Sequence, residues 1–308
     1  MVKKREVAVD EDRQNYIGGS DISAVCGINR WKTPLRLWAT KTGMIEPDDL
    51  SDNEAVQMGT KLEEFIAKEF EERTGLQVRR ESKAYVHPEH EFLLAHVDRI
   101  VLKDDSILEC KNCGAYRIGE FSDDDLPIEM IYQTMWNTGL AGREKGYLAA
   151  LVGGNHFIHK EITFDREMFD MMVEKAVGFW GMVKNGEAPV ATSDDGDTLF
   201  EMHPHGEDQV VEVTDEVSDE IARMLEETEA LKRVINDAEK KQDENKNIIK
   251  QIIGEADTVL GDGYKCTWKN QSRTYVDSKK LKEDELYEKY SYAKESRVFR
   301  YKLIKKEK

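Results

Sequence analysis

The sequence predicts a mixed α/β fold in which a central sheet is flanked by helices, followed by a long helix and a small β/α appendage. Residues 94–111 contain two segments that alternate between apolar and polar residues, which is typical of strands. The segments on either side carry apolar residues at helical spacing. We therefore expect three regions, which are a core domain at 1–190, an acidic linker or loop at 191–213, and a C-terminal helical arm with a small strand and helix appendage and a basic tail at 214–308.

The first candidate site lies on a predicted hairpin. In LLAHVDRIVL, Asp98 and Ile100 share one strand face, and in SILECKN, Glu109 and Lys111 share one face of the next strand. A polar turn at 103–106 separates the two strands. If Leu102 pairs with the first residue after this turn, Asp98 lies opposite Lys111 and Ile100 opposite Glu109. Two acids and a lysine would then converge on one face.

These side chains suit a metal-dependent phosphodiesterase. Two neighbouring carboxylates repel each other, and their burial is costly unless a cation intervenes. Mg²⁺ prefers hard oxygen ligands and retains waters, which leaves room for phosphate oxygens and an attacking water. Lys111 would stabilise the negative charge that develops as the phosphodiester bond breaks. A hairpin that carries only a surface ion pair would use the same residues, so this alternative stays open.

The segment MGTKLEEFIAKEFEERTG upstream predicts a helix that ends near Gly75. Glu63 shares a face of this helix with Ile66 and Phe70, so its carboxylate is expected near the core. A buried acid needs a partner. Either a metal site or an internal salt bridge would provide one.

Downstream of the hairpin, the sequence predicts a helix at 128–142, a buried strand in GYLAALVGG, a paired strand in HFIHKEITF and a helix at 165–185. A long helix then begins after Thr214 as its cap. A polar stretch at 239–247 interrupts its apolar seam, which favours an arm or a helical hairpin over a sustained coiled coil.

The last part of the chain predicts a strand pair in GYKCTWKNQSRTYVD and a final helix in LKEDELYEKY. Aromatic residues lie here among lysines and arginines, and they would either stack on single-stranded DNA or pack against the long helix or a neighbouring subunit. They are Tyr264, Trp268, Tyr275 and Tyr292.

The order of these features resembles the PD-(D/E)-x-K nuclease core, with Glu63 on a helix, Asp98 on a strand, Glu109 and Lys111 on the next strand, and Gln133 on a following helix. More narrowly, the chain is similar to the YqaJ-type viral recombinase exonucleases, relatives of phage lambda exonuclease. The likeness covers about residues 12–190 and includes the strings IGGSDISAVCGINRWKTPLRLWATKTG, MGTKLEEFIAKEF and IYQTMWNTGLAGREKGYLAALVGG.

The resemblance implies a 5′ to 3′ exonuclease on linear double-stranded DNA that leaves a 3′ single-stranded tail for recombination by strand annealing. It implies that Asp98, Glu109 and the backbone carbonyl of Cys110 bind Mg²⁺, with Mn²⁺ as a substitute. It also implies partners, namely a single-strand annealing protein and further copies of the chain in a ring, often a trimer.

The same resemblance gives roles to other residues. Glu63 would serve a second ion or orient a water, Lys111 would assist the nucleophile, and Gln133 would support the site from its helix. A second glutamine that the family often carries two residues after the position of Gln133 is replaced here by Met135. This departure puts a role for a glutamine pair in doubt.

Arg13 and Ser20 flank YIGG and match positions that hold the terminal 5′-phosphate in the family. An arginine fork and a hydroxyl beside glycine amides make a suitable phosphate cradle. From the residues alone, Ser20 with Asp21 would serve equally well as a helix cap.

Charge is unevenly distributed along the chain, whose formal net charge is −17. Residues 1–40 carry 7 Lys and Arg against 5 Asp and Glu, residues 260–308 carry 14 against 8, and residues 41–259 carry 24 against 49. Basic ends with an acidic exterior are compatible with DNA that passes through a positively lined passage. The basic tail is equally typical of a solvated helical face.

We expect a soluble, cytoplasmic enzyme, because no apolar run approaches membrane length and the amino terminus lacks a signal-peptide core. Two other functions stay open. One is an endonuclease on the same core, and the other is a non-catalytic protein that binds DNA ends or acts as a scaffold.

Overall fold

A computed structural model describes residues 3–5, 13–121, 125–206, 210–284 and 286–292. The helices are α1 (Gly19–Val25), α2 (Pro34–Lys41), α3 (Glu54–Thr74), α4 (Ile128–Leu140), α5 (Arg166–Asn185), α6 (Gly196–Met202), α7 (Asp215–Ile253), α8 (Ser278–Glu283) and α9 (Tyr287–Tyr290). The strands are β1 (Lys3–Arg5), β2 (Val78–Arg80), β3 (Ala84–Val86), β4 (Leu94–Ala95), β5 (Arg99–Val101), β6 (Ile107–Cys113), β7 (Lys145–Val152), β8 (His156–Thr163), β9 (Thr258–Gly261) and β10 (Tyr264–Thr267). The part of the predicted basic tail after residue 292 lies outside the described residues.

The central sheet has five strands in the order β2-β5-β6-β7-β8. Strands β6 and β7 are parallel, and the other neighbours are antiparallel, so the sheet is mixed. A parallel pair needs a crossover, and α4 provides it between β6 and β7. The predicted mixed sheet with flanking helices is confirmed.

The alternation along β7 shows how the sheet separates two apolar layers. Tyr147, Ala149 and Leu151 pack in one cluster with Ile66 and Phe70 of α3. The intervening residues, Leu148, Ala150 and Val152, pack in another cluster with Met130 of α4. Helices α3 and α4 therefore cover opposite faces of the sheet, as the period of two requires.

Helix α3 begins and ends at the residues expected for a stable helix. The side chain of Asn53 accepts hydrogen bonds from the backbone N–H groups of Ala55 and Val56. At the other end, Gly75 has a φ of 71°, in the left-handed region that glycine adopts without strain. The helix predicted in this segment is therefore confirmed, including its stop.

The predicted strand at 94–102 is divided in the structure. Strand β4 pairs with β3 in a separate three-stranded sheet, whereas β5 joins the central sheet. The backbone between them is held by α4, since Trp136 donates to the carbonyl of Leu94 and Asn137 donates to the carbonyl of His96. Because these carbonyls bind a helix, the chain changes sheets here instead of continuing as one strand.

The hairpin register also differs from the prediction. Arg99 pairs with Leu108 and Ile100 with Ile107, so Leu102 belongs to the turn instead of the ladder. Asp105 in that turn has a φ of 61°, a left-handed conformation that aspartate tolerates. The shift is by two residues, which is one full period of a strand, so the predicted polar face is preserved.

The chain divides into two compact units, Met1–His203 and Pro204–Lys308. The segment 191–213, predicted as linker or loop, contains helix α6. Asp195 before α6 is fully buried and accepts hydrogen bonds from Thr33 and Thr192, which fixes the part of this segment around α6 within the first unit. The predicted domain limits themselves stay a prediction.

In the second unit, α7 runs without a break through the polar stretch at 239–247, so the structure contains an arm and not a helical hairpin. The strand pair predicted within 263–277 is wrong: only β10 lies in that segment, it pairs with β9 before it, and the described residues from 268 to 277 form no strand. The final helix is replaced by the two short helices α8 and α9. In the described structure the four aromatic residues named above are 50–90% exposed.

Candidate active site

Asp98, Glu109 and Lys111 converge where the start of β5 lies beside β6. Asp98 directly precedes β5, and its Oδ2 accepts a hydrogen bond from the backbone N–H of Cys110 at 2.8 Å. On β6, Lys111 Nζ lies 3.3 Å from Glu109 Oε2. The structure therefore brings together the three residues on which the predicted site depends.

Glu109 is the most buried member of the group, with 1% of its surface exposed. Its Oε1 accepts from Asn137 Nδ2 at 2.5 Å, and its Oε2 accepts from Gln133 Nε2 at 3.1 Å. Burial, followed by the neighbouring charge of Asp98, raises the pKa of Glu109 to about 7. Glu109 is thus held by α4 in a fixed position, with Gln133 in the supporting place predicted for it.

The charges of the three groups depend on one another. Burial raises the pKa of Asp98, and the ammonium of Lys111 opposes this shift. Burial alone would lower the pKa of Lys111, but the carboxylates of Glu109 and Asp98 outweigh it and raise that pKa. Both carboxyl groups thus have raised pKa values beside a single ammonium, and a cation bound between them would favour their ionised forms.

This donor set fits a hard divalent cation. Two carboxylates, with the backbone carbonyl of Cys110 beside them in the chain, are the oxygen ligands with which proteins hold Mg²⁺ while waters and substrate phosphates complete its shell. Across the described ranges, no three carboxylate, imidazole or thiol groups form a ready-made metal cluster. The residues that could hold an ion here are therefore Asp98, Glu109 and Cys110.

Glu63 on α3 is engaged by a different partner. Arg99, only 3% exposed, donates to Glu63 through Nη1 and to Glu64 through Nη2, the second bond at 3.0 Å. The same Nη1 donates to the backbone carbonyl of Asp98 at 2.8 Å. Of the two alternatives for Glu63, the structure contains the salt bridge, and this bridge ties α3 to the strand end that carries Asp98.

Arg13 and Ser20 lie together, since Arg13 Nη2 donates to Ser20 Oγ at 2.6 Å and both residues are exposed. Behind them, the buried Lys41 of α2 donates from Nζ to the carbonyls of Arg13 and Tyr16, each at 2.5 Å, and to Asp21 Oδ2 at 2.9 Å. The N-cap residue of α1 is Gly18, and Asp21 in the first turn accepts from the N–H of Gly18, whereas Ser20 lies inside the helix. The cap and the candidate phosphate cradle thus coexist.

Three residues that support these sites were missed by sequence reasoning. Asn137 follows Gln133 by four residues, and a search along that face of α4 would have found it. Arg99 follows Asp98 and faces the opposite side of the sheet, toward Glu63, as strand alternation allows. Nothing local in the sequence marks Lys41, because its partners are 20 to 28 residues away.

Asn137 also contacts the helix that carries Ser20. It is fully buried, and its Oδ1 has no hydrogen-bond partner among the described residues. A Cβ atom added at Gly19 would overlap this Oδ1. Glycine at position 19 therefore allows α1 and α4 to approach closely at a residue that also holds Glu109.

Within the described part of the chain, no helix combines the length and apolar character needed to cross a bilayer.

Comparison with known proteins identifies the chain's relatives. Residues 10–144 match the family model of the YqaJ-like viral recombinase domain. The YqaJ protein of Bacillus subtilis strain 168 is 35% identical over 300 residues, which cover 94% of this chain and 92% of that protein.

Two solved structures are also similar. An alkaline exonuclease from Laribacter hongkongensis (LHK-Exo) is 16% identical with a TM-score of 0.47, covering 57% of this chain and 91% of its own. A phage-related exonuclease from Haemophilus somnus 129PT is 15% identical with a TM-score of 0.39, covering 55% and 94%. The identity and coverage shared with the Bacillus protein, together with the family-model match, decide the assignment: the chain belongs to the YqaJ-like viral recombinase family.

Proposed function

We propose that this protein is a Mg²⁺-dependent nuclease that degrades linear double-stranded DNA from its 5′ ends and leaves 3′ single-stranded tails. The observation that carries the proposal is the convergence of Asp98, before β5, with Glu109 and Lys111 on β6, the middle strand of the central sheet. A single-strand annealing protein would receive the tail, and copies of the chain would assemble around the duplex.

Asp98 and Glu109 would hold the ion together with the carbonyl of Cys110. Mg²⁺, when bound, polarises phosphate oxygens and lowers the pKa of a coordinated water. Asn137 and Gln133 fix both oxygens of Glu109, so the carboxylate needs little reorganisation when substrate arrives. The carboxylate of Glu63 already accepts a hydrogen bond from Arg99, so a second ion at Glu63 is not part of the proposal.

Lys111 would act on the reacting phosphate. Its raised pKa keeps the amine protonated near neutral pH, so Nζ can donate to a phosphate oxygen or to the attacking water. Lys111 is half-buried beside Glu109. Water has reduced access there, which strengthens the electrostatic interaction of the ammonium with a phosphate. Arg13 and Ser20 would bind the terminal 5′-phosphate through charged and neutral hydrogen bonds.

The proposal is tested with linear duplexes labelled at the 5′ or the 3′ end, with and without a 5′-phosphate, in Mg²⁺ or in EDTA. We expect nucleotides to be released from the 5′ label first, only with Mg²⁺, and faster from phosphorylated ends. Arg13→Gln should remove the preference for phosphate, whereas Arg166→Gln on the exposed face of α5 should keep it. Early release of the 3′ label contradicts the polarity, cleavage of closed circular DNA indicates an endonuclease, and binding without cleavage indicates a scaffold.

Asn137→Leu should lower the rate of hydrolysis about 10-fold or more, because Glu109 loses its shortest hydrogen bond in a buried position. The effect should lie in kcat, since Asn137 is fully buried and offers no surface for binding substrate. The measurement is a single-turnover time course on phosphorylated duplex. Thr138→Val, a substitution at the next buried residue of α4, provides the control. Equal rates for Asn137→Leu and the wild type would contradict the role assigned to Asn137.

A further inference from the structure

Helix α7 carries a row of residues spaced alternately by three and four positions over its whole length, which is the heptad pattern of a coiled coil. We call this row the α7 seam. It consists of Val217, Ile221, Met224, Thr228, Leu231, Ile235, Ala238, Gln242, Asn245, Ile249 and Ile252. The spacing continues through the polar stretch, so the seam runs from Val217 to Ile252, a length of about 53 Å.

The seam is exposed in the structure. Ile221 is 42% exposed, Leu231 56%, Ile235 55% and Ile252 70%, and Ile253 is the only buried residue of α7. The seam is mainly apolar at 217–235 and again at 249–252, and apolar stripes on a helix are ordinarily covered by another element. No described element of the second unit covers it, so within that unit the seam is available to a partner.

The charge of α7 indicates what that partner is. Residues 215–229 carry seven Asp and Glu against one Arg, whereas residues 230–253 carry six Lys and Arg against four Asp and Glu. Two parallel copies would place both acidic halves side by side. Two antiparallel copies place the acidic half of each against the basic half of the other, and their helix dipoles then oppose each other favourably.

Two of the three polar residues of the seam fit the same arrangement, whereas Gln242 lies opposite Leu231. When Ile221 lies opposite Ile252 of a second copy, Met224 lies opposite Ile249 and Ile235 opposite Ala238. In this register Thr228 faces Asn245, so these two polar residues share one layer. A polar layer in an apolar seam costs stability and selects one register over its neighbours.

We propose that α7 pairs in antiparallel orientation with α7 of a second copy of this chain. The pairing joins two chains, or two larger assemblies, through their arms. The proposal rests on the α7 seam, on its exposure and on the opposite charges of the two halves of α7. It does not depend on the nuclease activity proposed for the first unit.

The first test is the mass of the full chain in solution, measured by light scattering. Leu231→Asp with Ile235→Asp should halve the mass of the assembly, because two charges enter the centre of the seam. Ala222→Asp with Ala230→Asp adds the same charges to exposed positions outside the seam and should leave the mass unchanged. Equal masses for the seam variant and the wild type, or a monomeric wild type at micromolar concentration, would overturn the proposal.

The second test determines orientation and does not require the seam to be disrupted. Ile221→Cys and Ile252→Cys chains are purified separately, mixed and oxidised, with the wild type as the blank for its four native cysteines. A disulfide-linked product should form in the mixture but not with either variant alone, since identical positions lie about 46 Å apart in the antiparallel pair. Linking within each single variant indicates parallel helices, and no linking in the mixture excludes the pairing; either result rejects the proposal.

Discussion

Lys111→Ala should reduce Mg²⁺-dependent release of nucleotides from linear duplex by about 10²–10³-fold, the loss typical when one donor to a developing negative charge is removed. The fold should survive, because Glu109 keeps its bonds from Asn137 and Gln133 and, with a pKa already raised by burial, can become neutral. The rate is measured under single-turnover conditions, and integrity is followed by circular dichroism.

Lys68→Ala supplies the matched control, since Lys68 is an exposed lysine on α3 whose only described partner is Glu64 at 3.7 Å. It should retain the full rate. A Lys111→Ala protein that still digests DNA at the wild-type rate would remove Lys111 from the site. A variant that is inactive but also unfolded would show instead that Lys111 is structural, and Lys111→Arg would then separate charge from shape.

Lys41→Met should destabilise the first unit by about 3–5 kcal/mol, as expected when one partner of a buried ion pair is removed. Lys41 is 8% exposed and Asp21 7%, so the carboxylate would remain buried without its counter-charge. The carbonyls of Arg13 and Tyr16 would also lose a donor. Urea denaturation followed by tryptophan fluorescence reports this change, because Trp38, Trp136 and Trp180 are all buried in this unit.

Two further variants identify the cause. Lys41→Met combined with Asp21→Asn should recover part of the loss, since the unpaired charge is gone. Lys61→Met on the exposed surface of α3 should change stability by no more than about 0.5 kcal/mol. If Lys41→Met is as stable as Lys61→Met, the three hydrogen bonds of Lys41 contribute little.

The predicted hairpin register was wrong, but Asp98, Glu109 and Lys111 still converge, and the reason is physical. The pairing of Ile100 with Ile107 instead of Glu109 moved the strands by two residues, and a strand repeats its facing every two residues. A one-residue error would have sent Glu109 to the opposite face. The alternation of apolar and polar residues therefore predicted which side chains share a face. It did not predict which residues pair across the two strands, because that depends on the geometry of the turn.

The parts that escaped prediction depend on contacts between distant segments. The break after β4 arises because α4, about 40 residues later, binds the carbonyls of Leu94 and His96. Likewise, the sequence around Asp195 is typical of an acidic linker. Its burial depends on a hydrogen bond from Thr33, which is far away in the sequence. Tertiary hydrogen bonds of this kind override local propensity, and one sequence alone carries no signal for them.

The close approach at Gly19 limits how this enzyme can be altered. The residue next to Ser20 cannot gain even a methyl group without displacing Asn137, and Asn137 in turn holds Glu109. Under the proposed binding of the 5′-phosphate by Arg13 and Ser20, efforts to change which DNA termini are accepted should vary positions 13 and 20 and leave 19 untouched. A library randomised at position 19 would be depleted of hydrolytic clones for reasons unrelated to the terminus that it recognises.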